Sequence, residues 1–172
     1  MATLRGAEVT VDAIVHKLRQ GMPARVAQIN IEKDDGIVIT APANEQYYTS
    51  GQGDSAVVAP FFVVVEGPSE FDGEGPHSFI IGGQYLVSIV EEDADRSTLG
   101  RKMQRQVRAI IETLWDDDPK EALAHPADPD APNVAYDLVP VRTFPGPVFD
   151  DDTPSTWRGI YRVLFQAKQL EN

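Results

Sequence analysis

The stretch from Gln84 to Trp115 constrains the fold most, because it joins an apolar strand to an amphipathic helix. Both alternating sets of positions in Gln84–Glu91 carry apolar side chains, which predicts a strand inside a sheet with cover on both faces. Asp95 or Ser97 can cap a helix predicted at Ser97–Trp115. Its apolar residues recur every three or four positions, so they form one stripe that we expect to lie on the sheet: Leu99, Met103, Val107, Ile110 and Leu114.

Further strands are predicted on both sides of this unit. An apolar, β-branched run predicts a central strand at Val57–Glu66, and Val134–Thr143 predicts an edge strand because Pro140 interrupts it. The alternation from Trp157 to Lys168 predicts an antiparallel strand with one buried side and one wet or subunit-facing side. Long connections are predicted at a tyrosine-bearing loop, a hairpin loop, a proline-rich surface excursion and an acidic loop: residues 41–56, 67–77, 116–133 and 144–154.

The N-terminal region predicts two helical pieces. Val11–Gln20 carries one apolar side and ends at Gly21, whereas Pro23 suits the first turn of a second piece that reaches Ile31. The element order predicts a single α+β domain over residues 1–172. In it, a mostly antiparallel sheet of about four strands has the long helix packed on one face, with helices at the N-terminus.

Composition restricts the function. The chain has 172 residues, a formal net charge of −12 and no cysteine. The negative charge argues against general binding to a phosphate backbone. The absence of thiols excludes disulfides and thiolate metal sites and is compatible with a reducing cytoplasm. We find neither the order of a signal peptide nor an apolar run of about 18 residues, so no membrane partner is expected.

Residues with catalytic or metal-binding chemistry are sparse. His16, His77 and His125 have no ligand spacing, so we interpret them as surface histidines. Asp116–Asp118 and Asp150–Asp152 could bind a hard cation, but solvated loops explain them better because neither matches a known calcium loop. Motifs for a serine nucleophile or a phosphate loop are absent. No catalytic, cofactor or metal residue is predicted, and a small metal-dependent hydrolase using the aspartate runs is kept as an alternative.

Basic residues are concentrated on the predicted long helix. Five of the chain's 15 basic residues lie within 13 positions: Arg96, Arg101, Lys102, Arg105 and Arg108. They could pair with the chain's own acids at the surface, meet the acidic loops of another copy, or contact a passing nucleic acid. We predict a subunit contact, because a heterologous contact of this kind can close into a ring. Arg158 and Arg162, on the wet side of the last strand, are included in the predicted interface.

The layout resembles the tail terminator (tail completion) proteins and neck-protein relatives of long-tailed bacteriophages. A leading helix precedes a tyrosine-bearing loop, an apolar strand, a long hairpin, a strand–turn–helix unit and a final alternating strand. The residues that carry the resemblance lie in these last two parts: Tyr85, Val87, Ile89, Asp95, Leu99, Arg105, Arg108, Ala109, Ile110 and the strand Arg158–Lys168. Proteins of this family form hexameric rings on the last ring of tail-tube subunits and stop tube polymerisation. They use no cofactor and catalyse no reaction.

The resemblance implies a set of partners. We expect the chain to contact itself in a hexameric ring, the tail tube protein and the head–neck connector, with DNA passing an acidic lumen without specific binding. It would be assembled in the host cytoplasm and reside in the tail or neck of the virion. Another head–tail connector or adaptor of the neck is the alternative. Contact with the tube or connector is predicted for five residues: Tyr47, Tyr48, Phe71, Asp72 and Glu74.

Overall fold

Two helices and a five-stranded mixed sheet form the described part of the chain. The structure, a computed structural model, describes residues 5–49, 58–73, 79–115, 123–128, 134–150 and 156–171. The sheet order is β1-β2-β3-β5-β4, antiparallel throughout except for the parallel β1–β2 pair. The predicted α+β class is confirmed, with one strand more than expected. The elements are α1 Arg5–Lys33, β1 Tyr47–Tyr48, β2 Phe61–Gly73, β3 Phe79–Asp93, α2 Arg96–Leu114, β4 Tyr136–Asp150 and β5 Trp157–Glu171.

The two faces of the sheet have different neighbours. Both helices pack on one face, which we call the covered face, and its side chains join the helices in one core. Its buried residues include Phe62, Val64, Tyr85, Val87, Ile89, Val163, Phe165 and Ala167. The other face, called the open face, carries half-buried side chains at the centre of the sheet, including Leu86. The predicted cover of β3 is present on the covered face; on the open face Leu86 is half-buried and Val90 is buried, and neither described helix lies there.

The α1 helix is continuous through Pro23, so the prediction of two helical pieces is wrong. One buried stripe runs through both predicted pieces: Ile14, Leu18, Met22, Val26 and Ile29. Burial of this uninterrupted stripe outweighs the local cost of proline inside a helix. Gly21 lies against α2, where an added Cβ would come within 2.6 Å of the Thr113 methyl carbon. The glycine thus allows close helix packing.

The α2 helix agrees with its prediction. Asp95 is the N-cap, and its carboxylate accepts a hydrogen bond from the Thr98 backbone N–H at 2.7 Å. The predicted stripe Leu99, Met103, Val107, Ile110 and Leu114 is buried. Gly159 of β5 faces this stripe, since a Cβ there would collide with the sulfur of Met103. Neither of the helices in the described residues is long and apolar enough to cross a membrane.

The strands are longer than their sequence patterns indicated. β2 continues to Gly73 and β3 begins at Phe79, so most of the predicted hairpin loop 67–77 is paired strand. A bulge between Glu66 and Ser69 accommodates Gly67 and Pro68. β4 is the predicted edge strand, interrupted by bulges near its prolines, but it extends to Asp150 through half of the predicted acidic loop. Pairing with the long strands β3 and β5 overrides these local loop signals.

Two predicted irregular segments also differ in the structure, and the segment after α1 is held by a side chain. The side chain of Asn30 bonds both the N–H and the carbonyl of Ile39. In the predicted loop 41–56, Tyr47 and Tyr48 pair with β2 as strand β1. In the predicted surface excursion 116–133, Leu123 is buried and forms an isolated bridge with Ala135. Residues 50–57, 116–122 and 129–133 lie outside the described residues.

Candidate interaction surfaces

The basic line of α2 is largely paired with acids of the same chain. Arg105 is 7% exposed and donates to the carboxylate of Asp35 and to the carbonyl of Ile37. Arg108 bridges Glu32 at 2.7 Å and Glu112 at 2.6 Å. These contacts fasten the C-terminal end of α1 and the following turn to the middle of α2.

Electrostatics reinforces this connection between the helices. The hydrogen bond from Arg108 lowers the pKa of Glu32 below its ordinary value. The hydrogen bond from Arg105 likewise lowers the pKa of Asp35. Both carboxylates are therefore ionised at neutral pH, and both contacts are charge-assisted hydrogen bonds.

Other predicted interface residues also contact their own chain. Lys102 pairs with Asp93 at 2.7 Å, and Arg158, which is 7% exposed, pairs with Glu92. The guanidinium of Arg96 lies 5.4 Å from the ring centre of Trp157, a favourable cation–π distance. The alternative that the sequence left open, pairing with the chain's own acids, thus describes most of these residues.

Arg101 is the exception on α2. It is exposed and forms no ion pair with a described carboxylate. It lines a shallow depression together with Lys33, Gln104 and Arg108. A subunit contact through α2 is not tested by these contacts, and Arg101 is the residue of the line without an ionic or aromatic partner among the described residues.

The residues predicted to contact a tube or connector lie in different environments. Tyr47 is 4% exposed, and its ring meets Phe62 edge-on at 5.2 Å. Burial raises the pKa of the Tyr47 phenol to about 12, so this side chain belongs to the core. Tyr48 is half-buried, with its ring 6.0 Å from that of Phe61.

The remaining predicted contact residues lie in or near the long hairpin. Phe71 and Asp72 are strand residues of β2, opposite Ile81 and Ile80 of β3. Glu74 lies outside the described residues. Contact between this hairpin and a tube or connector stays a prediction.

The open face presents an apolar patch that the sequence interpretation did not single out. Val65, Leu86 and Leu164 are direct neighbours across β2, β3 and β5, and Arg142 of β4 follows Leu164. In the adjacent row Val63, Ser88 and Arg162 are neighbours, and Phe144 follows. We define the open-face patch as Val63, Val65, Leu86, Ile160 and Leu164, all half-buried, bordered by Arg142, Phe144 and Arg162.

The border of the open-face patch is positively charged. The guanidinium of Arg142 lies 5.7 Å from the ring centre of Phe144. Neither Arg142 nor Arg162 forms an ion pair with a described carboxylate. The signal that could have found the patch was the alternation of β5, which placed Ile160, Arg162 and Leu164 on its wet or subunit-facing side.

A buried polar cluster lies beneath α2. Gln106 is fully buried, and its amide donates to Glu91 at 3.0 Å and to the carbonyl of Thr40 at 2.8 Å. Burial raises the pKa of Glu91, although the hydrogen bond from Gln106 lowers it in part. This cluster connects β3, α2 and the segment after α1, and sequence reasoning missed it because the three partners are far apart in the chain.

The histidines and aspartates considered for metal binding do not converge where they are described. Within the described ranges no three His, Asp or Glu side chains are placed to hold a metal ion. His16 contacts Gln20 at 2.9 Å, and His125 accepts hydrogen bonds from the backbone of Ala127 and Asp128. His77 and the run Asp116–Asp118 lie outside the described residues, as do Asp151 and Asp152.

Comparison with solved structures found chains that are similar to this one. No family model matches the chain, and no curated protein matches it. Among solved structures, the chain is similar to a chain of the "Virion of native gene transfer agent (GTA) particle". The similarity has a TM-score of 0.45 and 14% sequence identity, and it covers 85% of this chain and 98% of that chain.

Proposed function

We propose that this chain is a structural virion protein that assembles into a ring and terminates a phage tail. The observation that carries the proposal is the open-face patch, a sheet face that neither described helix covers. There, half-buried aliphatic side chains lie beside two arginines that form no ion pair with a described carboxylate. Apolar patches with a polar border commonly mark interaction sites. The resemblance of the strand–turn–helix unit to tail terminators indicates that the assembly is a ring at the end of a tail.

The length of the strands β3 and β5 supports an assembly role. β3 and β5 have 15 residues each, which is about 50 Å and longer than the usual strand of about 3–10 residues. Their pairing continues through residues 168–171, beyond the buried Ala167. An extended ladder of this kind can reach a neighbouring subunit or ring.

The proposed partners follow from the same role. The ring would bind the tail tube protein on one side and the head–neck connector on the other, and DNA would pass its lumen. The net charge of −12 would repel DNA and so favour passage without specific binding. Tyr48 and the β2–β3 hairpin with Phe71, Asp72 and Glu74 are the proposed contacts with the tube or connector.

Electron microscopy of the purified chain with tail tubes tests this function. We expect rings of six subunits, and tubes whose ends are capped and which no longer elongate when tube protein is added. A chain that leaves tube ends growing at the rate seen without it would contradict a terminator. Binding to the portal instead of the tube would assign it to the head–tail connectors.

A further inference from the structure

The open-face patch has the composition of a protein-binding surface with a preferred charge on its partner. Its centre contains five aliphatic side chains on three adjacent strands, and neighbouring strands lie about 4.8 Å apart. Arg142 and Arg162 border it without ion pairs to described carboxylates. A partner that binds here would remove water from these arginines beside an apolar centre, which favours a partner that supplies carboxylates.

The chain itself has the complementary charge. Removing the two positive charges of the border from the net charge of −12 leaves −14 on the rest of the chain. Two open faces stacked on each other would place four arginines in one interface to which the patch and its border contribute no carboxylate, which is unfavourable. The charges therefore favour contact between the open face of one copy and a different, acidic surface of the next copy.

We infer that the open-face patch is the contact between successive copies of this chain. The contact is heterologous, so each copy uses one open face and one acidic surface, and a closed rotation produces a ring. The inference rests on the proposed function in that it gives the ring its subunit contact. It also moves that contact from the paired arginines of α2 to the sheet.

Edge-to-edge strand pairing is a poorer route to the same ring. β4 forms one edge of the sheet, and bulges interrupt its pairing with β5 near Pro140 and Pro145. Proline offers no backbone N–H for a further strand, and bulges twist an edge away from one. At the opposite edge, within the described residues, β1 pairs only with Phe62 and Val63 of β2, and the bulge between Glu66 and Ser69 interrupts the remaining edge of β2.

Sedimentation velocity over a range of protein concentrations tests the inference. Leu86→Glu and Leu164→Glu place a carboxylate in the centre of the patch, and each should weaken self-association at least about tenfold relative to the unchanged chain. Ile31→Glu is the matched control, because Ile31 is an 80% exposed aliphatic residue of α1. The dissociation constant of this variant should stay within about twofold of that of the unchanged chain, which is about 0.4 kcal/mol of binding free energy.

A second pair of variants keeps the test informative if a glutamate in the patch impairs folding. Arg142→Glu combined with Arg162→Glu alters the border only, and Arg101→Glu is its control on α2. The double variant should lose association while its thermal unfolding stays cooperative, whereas Arg101→Glu should associate normally.

Three outcomes would overturn the inference. Unchanged association of the patch and border variants would place the contact elsewhere, and a chain that stays monomeric at every concentration would remove it. Duplex DNA binding that depends on Arg142 and Arg162, with association unaffected, would reassign the patch to nucleic acid. The capping of tail tubes is a separate measurement, so unchanged association of the patch and border variants would not contradict the proposed function.

Discussion

Single side chains decide how closely α1 and α2 approach. Gly21 is in a helix, where alanine is ordinarily favoured by about 0.5–1 kcal/mol. Here the added methyl group would come within 2.6 Å of the Thr113 side chain, and Thr113 is 7% exposed and stiff because it is β-branched. Overpacking therefore outweighs helix propensity at this position.

Gly21→Ala should lower the free energy of unfolding by about 1–2 kcal/mol. Gly100→Ala is its control in α2, because no atom lies within 4 Å of an added Cβ there. This variant should raise the free energy of unfolding by about 0.5–1 kcal/mol. Urea titration measures both values, and a stabilised Gly21→Ala chain would refute the close contact. Adding Thr113→Ser, which removes the methyl group, should recover part of the loss.

Glu91 contributes to stability in the opposite sense from most carboxylates. Burial raises its pKa above the ordinary glutamate value of 4.5 in the folded chain. Its contribution to stability is therefore fully present below about pH 4.5 and is lost as the pH rises through the folded-state pKa. The ionised side chain is the unfavourable form at neutral pH.

Glu91→Gln should therefore melt at a higher temperature than the unchanged chain at pH 7, and the difference should shrink towards pH 4. Asp95→Asn is a control of opposite sign. The Thr98 N–H lowers the pKa of Asp95, so this variant should lose stability at pH 7 and recover relative to the unchanged chain in acid. Calorimetric melting at several pH values checks both, and a pH-independent difference for Glu91→Gln would count against its burial.

At the scale of elements, Arg105 connects α2 to the end of α1. It is buried, and it satisfies the carbonyl of Ile37 and the carboxylate of Asp35. Arg108 lies one turn away, but its side chain is 36% exposed, so water screens its ion pairs. Two arginines that look alike in the sequence therefore differ in their contribution to stability.

Arg105→Ala should lower the free energy of unfolding by about 1–2 kcal/mol, because it removes a buried side chain together with its hydrogen bonds to Ile37 and Asp35. Arg108→Ala should lower it by less than about 1 kcal/mol. Denaturant unfolding measures the two losses, and equal losses would contradict the difference in burial. Because Arg105 supports the fold, reversing its charge is unsuitable as a test of a subunit contact.

At the scale of the whole molecule, an acidic chain with a basic border around its open face should associate in a salt-dependent way. From about 0.1 M to about 1 M salt the Debye length falls from about 10 Å to about 3 Å. The dissociation constant between copies should rise over this range. As a control, the melting temperature of the Arg101→Glu variant should change with salt in the same way as that of the unchanged chain. Sedimentation at each salt concentration is the measurement. Association that strengthens steadily with salt would indicate a purely apolar contact.

Much of the fold could be predicted because its signals are local. The stripe from Leu99 to Leu114, the cap at Asp95 and the alternation of β5 each lie within 20 residues of sequence and recur in the structure. The positions of Pro23 and of Gly67 and Pro68 misled the prediction, since a buried stripe and long partner strands outweigh a local breaker.

The sequence by itself determined the α+β class, the helix that lies on the sheet and the alternation that divides β5 into a buried and an outer side. Only the tertiary structure decided which arginines are paired. Asp35 meets Arg105 across 70 residues and Glu92 meets Arg158 across 66, and no local pattern encodes such a distance. It also decided that both helices cover one face, because packing places the stripes of α1 and α2 in a common core. Neither described helix covers the open face.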